Sequence, residues 1–219
     1  MRRRLIILGT GGLAREVALV VEHMNEQEQR WELYGFVDEK TANIGKNLGI
    51  GTVLGDDAWL LSQNFDADLV VGIGHPKIRA KVISRYLARN DQFKYPNIIH
   101  PNASFDYRRI KFGCGNIVTA GCSFTCDIVV QDFNCFNPNS TIGHDVQIGS
   151  FNVINPGVNI SGGVQIGDRI LIGAGSQILE NITIGSGAVI GAGAVVRTNV
   201  LAGQTVVGVP AKPIEKHNV

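Results

Sequence analysis

Between Ile110 and Asn199 the chain repeats itself every six residues. Read in blocks of six, the third place of fifteen consecutive blocks, from Phe112 to Val196, holds Ile, Val or Phe. With 44% of the chain hydrophobic, chance would give such a run about five times in a million. A period of six is neither that of a helix nor that of an alternating strand; it is the period of a parallel β-helix. Each block supplies one short flat strand and one corner, and three blocks close a coil. Residue n then lies beneath residue n+18, and stacked coils pair at about 4.8 Å. The third-place residues form an apolar ladder along the axis, and small residues at the fourth place are expected to let the chain turn beside it. Fifteen blocks make five full coils.

Residues 1–95 follow another rule. "RRLIILGTGG" reads as a buried strand entering a glycine turn, and "LAREVALVVEHMNEQ" has helical spacing of its apolar residues. A strand "LYGFVDE", a short helix around "DDAWLLSQN", a strand "ADLVVGIG" and a charged helix "PKIRAKVISRYLARN" follow. Alternating strands and helices imply a parallel sheet with helices on its faces. The fold class is therefore an α/β Rossmann-like domain, residues 1–95, followed by an all-β parallel β-helix of hexapeptide repeats with a C-terminal tail, residues 96–219. Charge divides in the same way, since only eight of the 39 charged residues fall between Ile110 and Asn199.

A net charge of +1 offers no clustered basic surface for nucleic acid. "MRRRLIILG" begins like a signal peptide, but its apolar run is too short for export or membrane insertion, so a cytoplasmic location is expected. Cys114, Cys122, Cys126 and Cys135 crowd into one stretch without the C-x2-C spacing of a zinc site. They are read as small buried or corner residues, with no metal. One histidine, His144, interrupts the repeat in "STIGHDVQIGSF". It takes the fifth place of its block, with Cys126 one coil below and Gly162 one coil above, both small enough to leave room for an imidazole.

The run "STIGHDVQIGSFNVINPGVNISGGVQIGDRILIGAG", the closing "VVGVPAK" and the opening "IILGTGGLAREV" together resemble the bacterial acyltransferases that modify nucleotide-activated amino sugars. That group also includes the sialic acid O-acetyltransferases. The resemblance spans essentially the whole chain. It implies a left-handed β-helix, a hand that departs from the usual right-handed crossover, and a homotrimer with active sites between subunits. Acetyl-CoA is the implied cosubstrate and a nucleotide-linked amino sugar the implied acceptor.

Residue by residue, the resemblance makes His144 the general base and Asp145 its acidic neighbour. A neutral imidazole titrates near neutral pH and can take the proton of an attacking amine, with no acyl-enzyme required. Successive residues of an extended strand point apart, so Asp145 orients His144 only if the corner bends the two together. Asn137 is matched to an acceptor-sugar contact, with an inward ladder with Asn155 as the alternative. Gly74 and His75, at the end of a later strand, are placed near the sugar or diphosphate. Gly9, Thr10, Gly11, Gly12 and Leu13, between a strand and a helix, offer backbone N–H groups to a phosphate. Asp38 ends the second strand on the same edge, and a UDP- or GDP-type ligand is preferred to NAD.

Coenzyme A needs a narrow groove lined by small residues. Asn152, Asn155, Gly162, Gly173, Ala174, Gly191 and Ala192 are assigned to it, with Pro210 and Lys212 of the closing segment over its adenine end. Many relatives carry a second histidine nine residues after the base, where this chain has Val153. The acetyl carbonyl then needs Asn152 or a backbone N–H as its donor.

The leading expectation is an acetyl-CoA-dependent N-acetyltransferase acting on a nucleotide-linked amino deoxysugar. O-acetylation of sialic acid or a polysaccharide sugar is the nearest alternative, and a non-catalytic hexapeptide scaffold is another. A zinc lyase on the same fold would need about three histidine ligands, and the repeat has one.

Overall fold

The computed structural model describes residues 2–89 and 92–214. The N-terminal part holds five parallel strands, β1 (Arg3–Leu8), β2 (Trp31–Val37), β3 (Val53–Gly55), β4 (Ala67–Val71) and β5 (Phe93–Lys94), in the order β3-β2-β1-β4-β5. Its helices are α1 (Gly12–Gln27), α2 (Asp57–Ser62) and α3 (Pro76–Ser84). β1 and β4 are buried almost throughout, as fits strands covered on both faces. Strands β3 and β5, too short to show a period, were not legible in the sequence. The helix expected over "PKIRAKVISRYLARN" stops at Ser84 and resumes as a 3-10 turn at Leu87–Arg89; Asn90, its expected last residue, lies outside the described residues.

From Ile98 to Val207 the chain is a left-handed parallel β-helix. Its cross-section is triangular, with three flat sheets. Face I runs through Ile117–Val118, Cys135–Phe136, Val153–Ile154 and Leu171–Ile172. Face II contains Thr141–Ile142 and Asn159–Ile160, and face III contains Gln147–Ile148 and Gln165–Ile166. The register is the 18-residue step, for example Ile142 on Ile160 and Ile160 on Ile178. The third-place ladder is buried from Ile142 to Val196, each residue contributing about 1.5–3 kcal/mol of apolar burial. Face I is longer than the repeat, gaining Ile98–Ile99 below and Thr205–Val207 with the antiparallel Lys212–Ile214 above.

Two features of the coils differ from expectation. The turn is made at the sixth place, not the fourth: from Gly115 to Gly193 every sixth-place residue has positive φ. Where that residue is not glycine, the left-handed conformation costs about 1–2 kcal/mol. Asp and Asn occupy it at Asp127, Asn139, Asp145 and Asn181, but Phe133, Phe151 and Arg169 also do so, all on the edge between faces III and I. The rings of Phe133 and Phe151 stack at 5.3 Å and pack with the α/β domain, and that burial offsets the strain. The first place is also inward. There Asn97, Asn116, Asn134 and Asn152 form a ladder, each Oδ1 accepting the backbone N–H one coil above at 2.8–2.9 Å.

The outward residues of face I (Ile117, Cys135 and Val153) are buried against Ala14, Val17 and Val21 of α1. The single apolar face is thus covered by the chain itself. Faces II and III present polar rows instead, such as Thr141, Asn159 and Gln177, linked by hydrogen bonds at 2.6 and 3.1 Å.

Candidate active site and nucleotide pocket

His144 stands on the edge between faces II and III. The corner conformation answers how two adjacent residues meet: Asp145 has φ 61°, which swings its carboxylate back so that His144 Nδ1 lies 2.8 Å from Asp145 Oδ2. A carboxylate only accepts, so the neutral ring carries its proton on Nδ1 and offers the lone pair of Nε2. Directly above lies Gly162. A Cβ there would come within 2.6 Å of both His144 Cε1 and Nε2, so glycine is required for the imidazole to occupy this place. The N–H of Gly162 makes no hydrogen bond among the described residues. Each side chain of the His144–Asp145 pair is 66% exposed, which leaves the pair open to solvent on a single chain.

Val153, at the position of the relatives' second histidine, is 1% exposed within the contact with α1 and faces no cleft. Asn152 is fully enclosed. It belongs to the internal asparagine ladder, its Nδ2 lacks a partner among the described residues, and it reaches neither surface nor groove. Of the two donors expected for an acetyl carbonyl, only a backbone N–H remains.

The other residues assigned to coenzyme A divide between places. Gly162 shares the edge of His144, whereas Asn155, Gly173, Ala174, Gly191 and Ala192 lie on the edge between faces I and II. Pro210 and Lys212 are exposed on the C-terminal hairpin beside that edge. Asn137 is largely buried there, with its Nδ2 3.4 Å from Asn155 Oδ1, so the inward ladder is the arrangement found.

The second site is a pocket of about 540 Å³ in the α/β domain, lined by Gly9, Thr10, Gly11, Gly12, Leu13, Asp38 and Gly74 among others. It opens at the carboxyl ends of β1 and β4, where the strand order reverses, the usual ligand position in such sheets. Gly9 has φ 105°, and a Cβ there would meet Ile73 at 3.1 Å, so the two loops touch. The N-cap of α1 is Gly11, with no side-chain cap and no acid in the first turn, leaving its N–H groups free for an anion. Burial acts to raise the Asp38 pKa, but hydrogen bonds from Thr10, the Lys40 N–H at 2.9 Å and Asn43 at 2.9 Å outweigh it, and the carboxyl is held below its ordinary 3.8. Asp38 is thus an ionised anchor for the pocket's rim. Asn43 and Arg85, the latter paired with Asp57, also line the pocket. No periodic signal marks either of them. His75 is not among these residues. It sits with Lys77, Arg169 and Leu171 in a separate cleft of about 210 Å³ between α3 and the β-helix.

The cysteines are free, Cys122 and Cys135 buried, and burial pushes the Cys135 thiol up to about 11. Among the described residues no three His, Cys, Asp or Glu side chains group as metal ligands, and no helix is long and apolar enough to cross a membrane.

Residues 4–86 match the PglD N-terminal domain family, and residues 163–198 match the bacterial transferase hexapeptide (six repeats) family. A mutant of perosamine N-acetyltransferase from Caulobacter crescentus, solved with CoA and GDP-perosamine, is 27% identical with a TM-score of 0.87, covering 97% of both chains. The acetyltransferase domain of PglB from Neisseria gonorrhoeae FA1090, in complex with acetyl coenzyme A, is 31% identical over 98% of this chain and 100% of its own, with a TM-score of 0.88. The chain belongs to the bacterial hexapeptide-repeat sugar acetyltransferases. Another similar structure is WeeI from Acinetobacter baumannii AYE, 25% identical over 96% of this chain and 99% of its own, with a TM-score of 0.83. No curated protein matches this acetyltransferase.

Proposed function

We propose that the chain transfers the acetyl group of acetyl-CoA to the amino group of a nucleotide-linked amino deoxysugar, with His144 as the general base. The observation that carries this reading is an oriented imidazole on an open edge, beneath a glycine, in a chain that also has a pocket at its sheet's switch point. The likeness to an enzyme held with CoA and GDP-perosamine supports an amine acceptor on a nucleotide sugar.

In this reading the amine nitrogen attacks the thioester carbonyl carbon while Nε2 of His144 takes its proton. The carbonyl π electrons move to oxygen, for which the N–H of Gly162, without a hydrogen-bond partner among the described residues, is the proposed donor. Collapse breaks the C–S bond, and the imidazolium returns the proton to the departing thiolate. The products are an acetamido sugar and the free thiol of coenzyme A. Asp145 keeps the ring's proton on Nδ1 and stabilises the imidazolium.

The site is completed between subunits of a homotrimer. In a triangular prism the edge carrying His144 lies opposite face I, where the same chain's α/β domain packs. A sugar held in that domain therefore meets the His144 of another copy, and the two thirds of the His144–Asp145 surface left open is what a neighbour covers. The glycine-rich edge between faces I and II and the C-terminal hairpin are the surfaces proposed for coenzyme A.

The test is a panel of UDP- and GDP-linked amino sugars, with their hydroxyl counterparts and free sialic acid, assayed by release of free thiol from acetyl-CoA. Turnover confined to nucleotide-linked amines is expected. Turnover with hydroxyl acceptors alone would overturn the N-acetyltransferase reading.

A further inference from the structure

Arg79 lies on α3 with none of its surface exposed. No carboxylate stands within ion-pair distance of it among the described residues. Its Nε–H donates to the Phe133 carbonyl at 2.7 Å, and Nη1 donates to the carbonyls of Val71 and Ile73 at 2.8 and 2.9 Å. Nη2 has no partner. The neighbouring Cys135 thiol stays protonated, since burial pushes it up to about 11, so it supplies no counter-charge. A buried cation balanced only by neutral carbonyls is costly, and an apolar side chain would fill the same space at less cost.

What the charge gains is shown by its neighbours. Val71 and Ile73 flank Gly72, and Gly72, Ile73 and Gly74 form one wall of the nucleotide pocket. This loop is wedged from the other side, since a Cβ on Gly72 would lie 2.6 Å from Ala14 Cα of α1, and Gly9 abuts Ile73. Phe133, the third acceptor, belongs to the β-helix. One guanidinium thus fixes the pocket wall to the body of the acetyltransferase and leaves an uncompensated positive charge behind it.

We propose that Arg79 is a positioning residue for the nucleotide pocket, setting the Gly72–Gly74 loop against the β-helix and drawing a ligand's diphosphate by its buried charge without touching it. This rests on the nucleotide-sugar reading. Ionised phosphates facing a fixed, poorly solvated charge feel it strongly, whereas the nucleoside part of the same ligand does not.

The experiment compares binding of GDP and UDP with that of guanosine and uridine, by calorimetry, in the wild-type protein, Arg79→Met and Arg79→Lys. Arg79→Met is expected to weaken binding of the preferred diphosphate about tenfold or more while changing the matching nucleoside by less than about twofold. Arg79→Lys, which keeps charge but not the planar fork, is expected to recover part of that loss. In turnover the KM for the nucleotide sugar should rise and that for acetyl-CoA should not. If Arg79→Met does not fold, Arg79→Gln, which still donates to carbonyls, takes its place with the same expectation. Equal losses for diphosphate and nucleoside, or none for either, would reduce Arg79 to a structural role and overturn the inference. A wild-type protein that binds neither diphosphate would remove the nucleotide-sugar reading, and this inference with it.

Discussion

His144 depends on three residues that each do one thing. Asp145 bends into the left-handed region and fixes the ring's tautomer, Gly162 leaves the volume above the ring empty, and Cys126 passes beneath it, its carbonyl accepting the Asp145 N–H at 3.2 Å. His144→Ala should lower kcat by about 10²–10⁴ with a nearly unchanged melting temperature, since within its own chain the imidazole's one side-chain hydrogen bond among the described residues is to Asp145. Gly162→Ala is the sharper test of geometry. Its φ is not in the left-handed region, so the backbone tolerates alanine, but the methyl group would displace the imidazole. We expect kcat to fall about 10²-fold at near wild-type stability, measured by thiol release and thermal melting. Asp145→Asn keeps the corner, because asparagine accepts the same φ, and exchanges the carboxylate for an amide; an activity loss without a stability loss is expected there too.

At the scale of elements, the junction between α1 and the first coil contains a histidine pair. His100 Nδ1 accepts the Asn102 N–H at 3.0 Å, so its own proton sits on Nε2 and is donated to His23 Nδ1 at 2.9 Å. Burial first, and the neighbouring His23 second, hold the His100 pKa below its ordinary 6.5. The folded protein then binds fewer protons than the unfolded chain below pH 6.5, so stability falls as pH drops from that value towards the depressed one. Urea midpoints at pH 7.5 and pH 5.5 should differ for the wild-type protein and differ less for His100→Asn. The same junction explains what the sequence could and could not disclose. The third-place ladder announced the β-helix because an inward residue recurs every six positions without exception. The first-place ladder was hidden, since its members vary among Asn, Cys, Ser, Val, Ile and Ala and share only their burial. Asn152 was misplaced for that reason: polarity suggested a groove, while the residue serves backbone N–H groups inside the coil. Val153 likewise looked like a gap in the chemistry and is a contact with α1. The glycine turn and Asp38 were legible because strand, turn and helix signals are local, but Asn43 and Arg85 reach the pocket through tertiary folding alone.

For the whole molecule, the decisive fact is that the two candidate sites are built by different parts of the chain. The α/β domain packs on face I through α1 and carries the pocket, while His144 occupies the opposite edge among polar faces. In the proposed reading, acetyl transfer draws on two copies, one presenting the sugar and the other the base. The most direct measurement is a mixing experiment with two inactive variants, His144→Ala and Asp38→Ala, co-refolded in equal amounts and assayed for thiol release. With sites shared between subunits, random assembly restores both partners in about a quarter of the sites, so activity should return to about that fraction of wild type. A mixture no more active than either parent, or a His144→Ala parent that turns over within about tenfold of wild type, would contradict the account.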